Sequence, residues 1–221
     1  MGQKFIVLFD LDGTLVDTAP DLIRAHNHVM KKFGYPSKSL DQLRNAVGSG
    51  AKAMMAKDNG KWKWFDEKIQ NDMTDEFISF YKKNILHEST LLNGVKEFLE
   101  WCKNQNISMA VCTNKTEFLA IDLLKKIGIY DFFEYVSGYN TFEYCKPDPR
   151  HLLKTIDILD GVKNKSIMIG DSETDANAAK AAEIPMILLK YGYTEKKSEE
   201  IYHNHLIKDF IGIEKIIKEY L

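Results

Sequence analysis

Apolar positions along the chain follow two rhythms. Phe5-Ile6-Val7-Leu8-Phe9 is an unbroken apolar run that stops at Asp10, the pattern of a strand buried on both faces of a parallel sheet. Similar runs return at 107–112, 166–169 and 185–189, with a shorter one at Tyr135-Val136-Ser137. Segments of helical period separate them. Strands alternating with helices in this way predict right-handed βαβ units, and so an open α/β sheet with helices on both faces. In such a sheet, ligands bind at the carboxyl ends of the strands.

Residues 18–87 break the rhythm. Helical patterns run over 20–33, 40–47, 51–57 and 66–83, with no strand pattern between them. An all-helical insert is therefore expected over 18–87, set into a core built from 1–17 and 88–221. Its hinges fall near Val16 to Thr18 and His87 to Asn93, and its natural role is that of a cap over the strand ends.

Composition narrows the partners. With 221 residues, 44% hydrophobic and 28% charged, the chain has the balance of a folded globular protein. Thirty Lys and Arg against 32 Asp and Glu leave a net charge of −2, so no global field draws in nucleic acid or an anionic membrane. Lys61-Trp62-Lys63-Trp64 mixes cations with aromatics, but two lysines fall short of a nucleic-acid groove. The apolar run near the N-terminus is too short for a membrane span or a signal sequence, so the cytoplasm is the expected location. Cys102, Cys112 and Cys145 lack C-x-x-C spacing and are expected as buried thiols in a reducing compartment. An anionic ligand must then be held by local chemistry.

Four segments supply that chemistry, each at the end of an expected strand. In Asp10-Leu11-Asp12-Gly13-Thr14, two carboxylates two residues apart repel each other unless a cation or a shared proton relieves them, although D-x-D-G also suits a plain Asx turn. Thr113-Asn114 offers a hydroxyl and an amide just before a helix, fit either to hold phosphate oxygens or to cap that helix. Lys146 precedes Pro147-Asp148-Pro149, which stiffens its backbone and fixes its ammonium. Asp171 emerges at the tip of the fourth run, and Asp175 one helical turn later either steadies Asp171 or a metal-bound water, or complements the helix dipole. Three or four acids, one lysine and a hydroxyl–amide pair on one rim suit Mg²⁺ and phosphoryl transfer.

D-L-D-G-T, Thr113-Asn114, Lys146 before Pro147, and G-D-S-E-T-D, in this order and spacing, resemble the four motifs of the haloacid dehalogenase superfamily of phosphohydrolases. The resemblance spans essentially the whole chain and implies a Rossmann-like parallel core with an inserted helical C1 cap. Within it, the chain is most similar to the bacterial phosphoglycolate phosphatase subgroup, through Asp17-Thr18-Ala19-Pro20-Asp21-Leu22 with Asn27, Leu43-Arg44 before Gly48-Ser49-Gly50-Ala51, Cys112-Thr113-Asn114-Lys115, and Tyr191-Gly192-Tyr193. Gly138-Tyr139-Asn140 departs from that subgroup's Gly-Gly-Asp, and Glu183 stands where a glycine is common.

The resemblance implies a small phosphorylated metabolite as substrate, with 2-phosphoglycolate first. Another small phosphate (pyrophosphate, a sugar phosphate or a nucleotide), a phosphomutase, and a non-enzymatic phospho-receiver stand as alternatives. It implies Asp10 as nucleophile through an aspartyl-phosphate and Asp12 as acid and base. Asp10, Asp12 (through its carbonyl) and Asp171 are expected to hold Mg²⁺, with Thr113, Asn114 and Lys146 on the phosphoryl oxygens. Gly48, Ser49, Gly50 and Lys52 of the cap are expected either to select the leaving group or to form an ordinary interhelical turn.

Overall fold

The structure, a computed structural model, describes residues 4–43, 46–47, 54–55, 57–58, 61–62, 67–194 and 196–221, with the side chains of 57, 58, 61 and 62 left aside. Its strands are β1 (Ile6–Phe9), β2 (Val16–Asp17), β3 (Lys57–Asp58), β4 (Lys61–Trp62), β5 (Thr90–Leu91), β6 (Ser108–Cys112), β7 (Tyr135–Ser137), β8 (Ser166–Gly170), β9 (Met186–Leu189) and β10 (His205–Ile207). Its helices are α1 (Ala19–Lys32), α2 (Leu40–Leu43), α3 (Glu67–Lys83), α4 (Val95–Asn104), α5 (Glu117–Lys126), α6 (Pro149–Ile158), α7 (Glu173–Ala182) and α8 (Glu214–Lys218).

Six strands form one sheet in the order β10-β9-β8-β1-β6-β7, and every pairing in it is parallel. All four residues of β1 are buried because the sheet is covered on both faces. Val7 and Phe9 point into one layer, packed with residues of α4, α5 and α8; Ile6 and Leu8 point into the other, with Leu152, Ile156 and the alanines of α7. Phe9 meets Phe98 and Phe133 edge to face, with centroids 6.1 and 5.8 Å away. Phe9 sits opposite Val111 on one side and Ile169 on the other, so the tips of β1, β6 and β8 end level. That register places Asp10, Thr113 and Asp171 on one rim.

The chain leaves the sheet layer through β2 and returns through β5, and these two segments pair antiparallel with each other. Both strands of this short ribbon fall within the segments expected as hinges, Val16 to Thr18 and His87 to Asn93. Between them lie α1, α2 and α3, and also a strand pair, β3 with β4. An all-helical insert is therefore corrected: Lys57 is strand, not the end of a helix, and two-residue strands leave no period in a sequence. Helices α1 and α3 bury Val29, Met30, Met73 and Phe77 together. On their outer edge the His28 ring stacks on Phe80 at 4.0 Å, and Glu76 accepts from His28 and Lys32. Asp21 of α1 is buried, and its Oδ2 accepts the backbone N–H groups of His87, Glu88 and Ser89 and the Ser89 hydroxyl. Those four donors outweigh the effect of burial and hold its carboxyl below the usual range. This carboxylate straps the first turn of α1 to the returning segment.

Candidate active site

The site begins where β1 ends. Asp10 N–H still donates to Ile169 carbonyl at 2.9 Å, extending the ladder by one residue. The chain then folds back, with Leu11 carbonyl accepting from Leu15 and Val16. Gly13 makes the turn possible at φ +87°, and a Cβ there would lie 2.4 Å from Asp171 Oδ2. The turn delivers Thr14 to Asp171, whose Oδ1 accepts the Thr14 hydroxyl at 2.9 Å.

Lys146 is the centre of charge. Its side chain is 2% exposed, and its Nζ donates to Asp10 Oδ1 at 2.8 Å and Asp175 Oδ1 at 2.6 Å. Asp175 carries a second task. As the third residue of α7 it forms a capping box with Ser172, and its Oδ2 accepts from Ser172 N–H, the Ser172 hydroxyl and Asp171 N–H. Asp175 thus caps the helix and accepts the Asp171 N–H with the same oxygen. Asp171 Oδ2 also accepts Tyr193 N–H at 2.6 Å. The close approach of that loop rests on Gly192, where a Cβ would fall 2.1 Å from the Asp171 carbonyl oxygen.

Asp10, Asp171 and Asp175 each offer a carboxylate oxygen within 4.8 Å of the others. Burial, with Asp175 and Asp12 adding to it, pushes the Asp10 carboxyl up to about 6 against the pull of Lys146. Burial, then Asp10 and Asp175, push Asp171 well above its ordinary range. One ammonium does not balance three buried acids, and oxygen donors of this kind fit a hard divalent cation. Asp175 gives one oxygen to the Lys146 ammonium and the other to its capping box, whereas Asp171 accepts only neutral donors, the Thr14 hydroxyl and Tyr193 N–H, so Asp10 and Asp171 are the side chains better fitted to hold it. Mg²⁺ as the ion remains an expectation from the sequence.

Asp12 points into a separate group of partners. Its Oδ1 accepts the Thr18 hydroxyl at 2.7 Å, and Lys115 Nζ lies 2.9 and 3.1 Å from its two oxygens. Lys115 also donates to the Tyr81 hydroxyl of α3 at 3.0 Å. Burial works against the Lys115 ammonium, but Asp12 and Tyr81 outweigh it and its pKa rises. Thr113 is buried; its Oγ accepts from Lys115 N–H, and among the described residues its own proton has no acceptor. Asn114 uses one amide N–H on Lys146 carbonyl at 2.8 Å, steadying the loop that carries the ammonium. Its Oδ1 is buried with no partner among the described residues.

Of the residues read from the sequence, Asp10, Asp12, Thr113, Asn114, Lys146, Asp171 and Asp175 converge on one rim. Gly48, Ser49, Gly50 and Lys52, with Arg44, lie outside the described residues. Sequence reasoning left Lys115, Thr18, Tyr81 and Tyr193 without a task at the site. Lys115 had a signal, a cation two residues past Thr113 at a strand tip. Tyr81 had none, because only the tertiary fold carries α3 to Asp12. Tyr193 bonds Asp171 through its backbone and reaches the ribbon with its ring: its hydroxyl lies 2.6 Å from Asp17 Oδ1 and accepts Ala19 N–H at 2.9 Å.

Comparison with known proteins agrees with this geometry. Residues 7–189 match the family described as haloacid dehalogenase-like hydrolase. A phosphoglycolate phosphatase of Agrobacterium fabrum is 37% identical over 98% of this chain and 93% of its own length. One of Caulobacter vibrioides is 35% identical over 95% of this chain and 89% of its own. A crystal structure from Haemophilus somnus, described as a predicted phosphoglycolate phosphatase, superposes with a TM-score of 0.90 at 28% identity, covering 98% of this chain and 99% of that one. No helix among the described residues is long and apolar enough to cross a membrane. With its parallel sheet, its level row of strand-tip acids and relatives over nearly its full length, the chain belongs to the haloacid dehalogenase-like hydrolases.

Proposed function

We propose that this chain is a Mg²⁺-dependent phosphomonoesterase of the cytoplasm that converts 2-phosphoglycolate to glycolate and phosphate. The observation that carries the reading is the buried ammonium of Lys146, set between Asp10 and Asp175 beside Asp171 at the tips of adjacent parallel strands. The names of the full-length relatives favour 2-phosphoglycolate among small phosphates.

Asp10 attacks phosphorus in line and becomes the aspartyl-phosphate. Asp12 gives a proton to the departing alkoxide, then takes one from the water that cleaves the acyl phosphate. Lys146 and the Thr113 hydroxyl donate to the phosphoryl oxygens, and Asn114 keeps the Lys146 loop in place. Asp10, Asp171 and the Asp12 carbonyl hold Mg²⁺, which when bound offsets charge on the transferring group. The insert 18–87 closes over the leaving group against a core of 1–17 and 88–221, and residues 48–52 help to select it.

A hydrolysis panel of 2-phosphoglycolate, pyrophosphate, hexose phosphates and nucleotides tests the substrate, with 2-phosphoglycolate expected to give the highest kcat/KM. Asp10→Asn is expected to remove turnover and leave the circular dichroism spectrum unchanged; substantial turnover in that variant overturns the nucleophile. Asp171→Asn is expected to raise the Mg²⁺ concentration needed for half-maximal rate, and an unchanged requirement overturns its role as ligand.

A further inference from the structure

We propose that Lys115 Nζ and the Tyr81 hydroxyl form the subsite for the substrate's carboxylate, resting on the reading of 2-phosphoglycolate given above. Among the described residues, two ammonium groups reach the acid cluster. Lys146 lies against Asp10 and Asp175, on the phosphoryl side. Lys115 lies against Asp12, on the side where the leaving oxygen departs.

Covalent geometry makes the second position significant. In 2-phosphoglycolate one methylene separates the ester oxygen from the carboxylate. A group that recognises this carboxylate can therefore stand as near as hydrogen-bond distance to whatever protonates the ester oxygen. Lys115 Nζ is 2.9 Å from Asp12 Oδ1.

The ammonium also has capacity. The two oxygens of one carboxylate, at 2.9 and 3.1 Å, lie too close together in direction to occupy two tetrahedral N–H bonds, so Asp12 takes one shared donor. Tyr81 takes a second. The third N–H of Lys115 has no partner among the described residues, and a substrate carboxylate supplies it.

Tyr81 adds a donor from a different part of the molecule. It belongs to α3, in the insert, and its ring also lies under the ammonium with the centroid 4.6 Å from Nζ. Its side chain is fully buried, and burial pushes its hydroxyl up to about 12, so it stays a neutral donor at any working pH. A carboxylate held between a core lysine and an insert tyrosine ties recognition of the leaving group to the seating of the insert on the core.

The test compares 2-phosphoglycolate with 2-hydroxyethyl phosphate, in which CH₂OH replaces the carboxylate and the leaving group remains an alkoxide that needs the same proton. The ratio of their kcat/KM values is measured in wild type, Lys115→Met and Tyr81→Phe. Removing a charge-assisted hydrogen bond is expected to lower the ratio about tenfold or more in Lys115→Met and a few-fold in Tyr81→Phe. Glycolate inhibition of p-nitrophenyl phosphate hydrolysis gives a second readout, with Ki expected to rise by a similar factor. If Lys115→Met does not accumulate as folded protein, Tyr81→Phe carries both measurements. Equal losses on the two substrates with an unchanged glycolate Ki overturn the subsite and leave the phosphatase reading intact, since Lys115 would then only orient Asp12. A wild type that uses both substrates equally well overturns the choice of 2-phosphoglycolate and the subsite with it.

Discussion

Replacing Lys146 with Met keeps most of the side chain's length and volume but removes the one cation shared by Asp10 and Asp175. Both contacts are short, 2.8 and 2.6 Å, and Asp175 is fully buried. Breaking a buried ion pair leaves an uncompensated charge and costs about 3–5 kcal/mol. One ammonium serving two acids places this substitution towards the upper end. In a chain of this size that corresponds to a fall in Tm of about 6–20 °C. The cost depends on pH in a defined direction. Burial already holds the folded pKa of Asp10 above its unfolded one, at about 6, against the pull of Lys146, and losing Lys146 raises it further. A protonated Asp10 needs no counter-charge, so its share of the deficit is small well below pH 6 and grows as pH rises through about 6. Thermal unfolding of wild type and variant at pH 5 and pH 8, both in EDTA, measures it. The same Tm deficit at both pH values would mean that lost packing, not charge, sets the cost. A deficit below about 2 °C at pH 8 would refute the electrostatic account altogether.

Mg²⁺ should raise the Tm of the wild type more at pH 8 than at pH 5, because ionised Asp10 and Asp171 are the forms that bind it; equal shifts would count against these ligands. Gly192→Ala sets a Cβ against the Asp171 carbonyl, so the loop must shift, and a Mg²⁺ titration of activity should show a requirement raised about tenfold with only a modest change in Tm. Asp21→Ala removes the acceptor for three successive backbone donors and the Ser89 hydroxyl; about 3 kcal/mol of stability should be lost. Hydrogen exchange should accelerate first at His87 to Ser89, and Asp21→Asn should recover part of the loss.

The strands that the sequence revealed are those whose burial is two-sided. Phe5 to Phe9 and Ile167 to Ile169 carry no polar position because helices cover both faces, and an unbroken apolar run follows directly. β10 lies at the sheet edge, its residues His205, Leu206 and Ile207 are only half-buried, and its composition does not separate it from a loop. The pairing of β3 with β4 was invisible for a simpler reason: two residues have no periodicity. At the site, Asp10 and Asp171 stood out because ionisable groups at the ends of buried runs have few structural uses, and Lys146 because Pro147-Asp148-Pro149 stiffens the chain that follows it. Lys115 was overlooked because its meaning lies in partners far away in the chain, Asp12 and Tyr81, which only the fold brings together. Tyr193 was harder still, since its contact with Asp171 is made by a backbone N–H that every residue except proline possesses.

The β2–β5 ribbon bears on how such a protein can change. Asp17 and Thr90 are paired neighbours, so the excursion between them starts and finishes about one strand spacing apart, near 5 Å. To the folding core, an excursion of roughly 70 residues is a loop whose ends are already joined, and doubling or halving its length alters the closure entropy by only about 0.6 kcal/mol. Segments of very different size can occupy that position without disturbing the sheet that carries Asp10, Lys146 and Asp171. The ribbon is therefore a port through which a lineage can exchange one insert for another, while the strand-tip acids and Lys146 stay where the parallel strands put them.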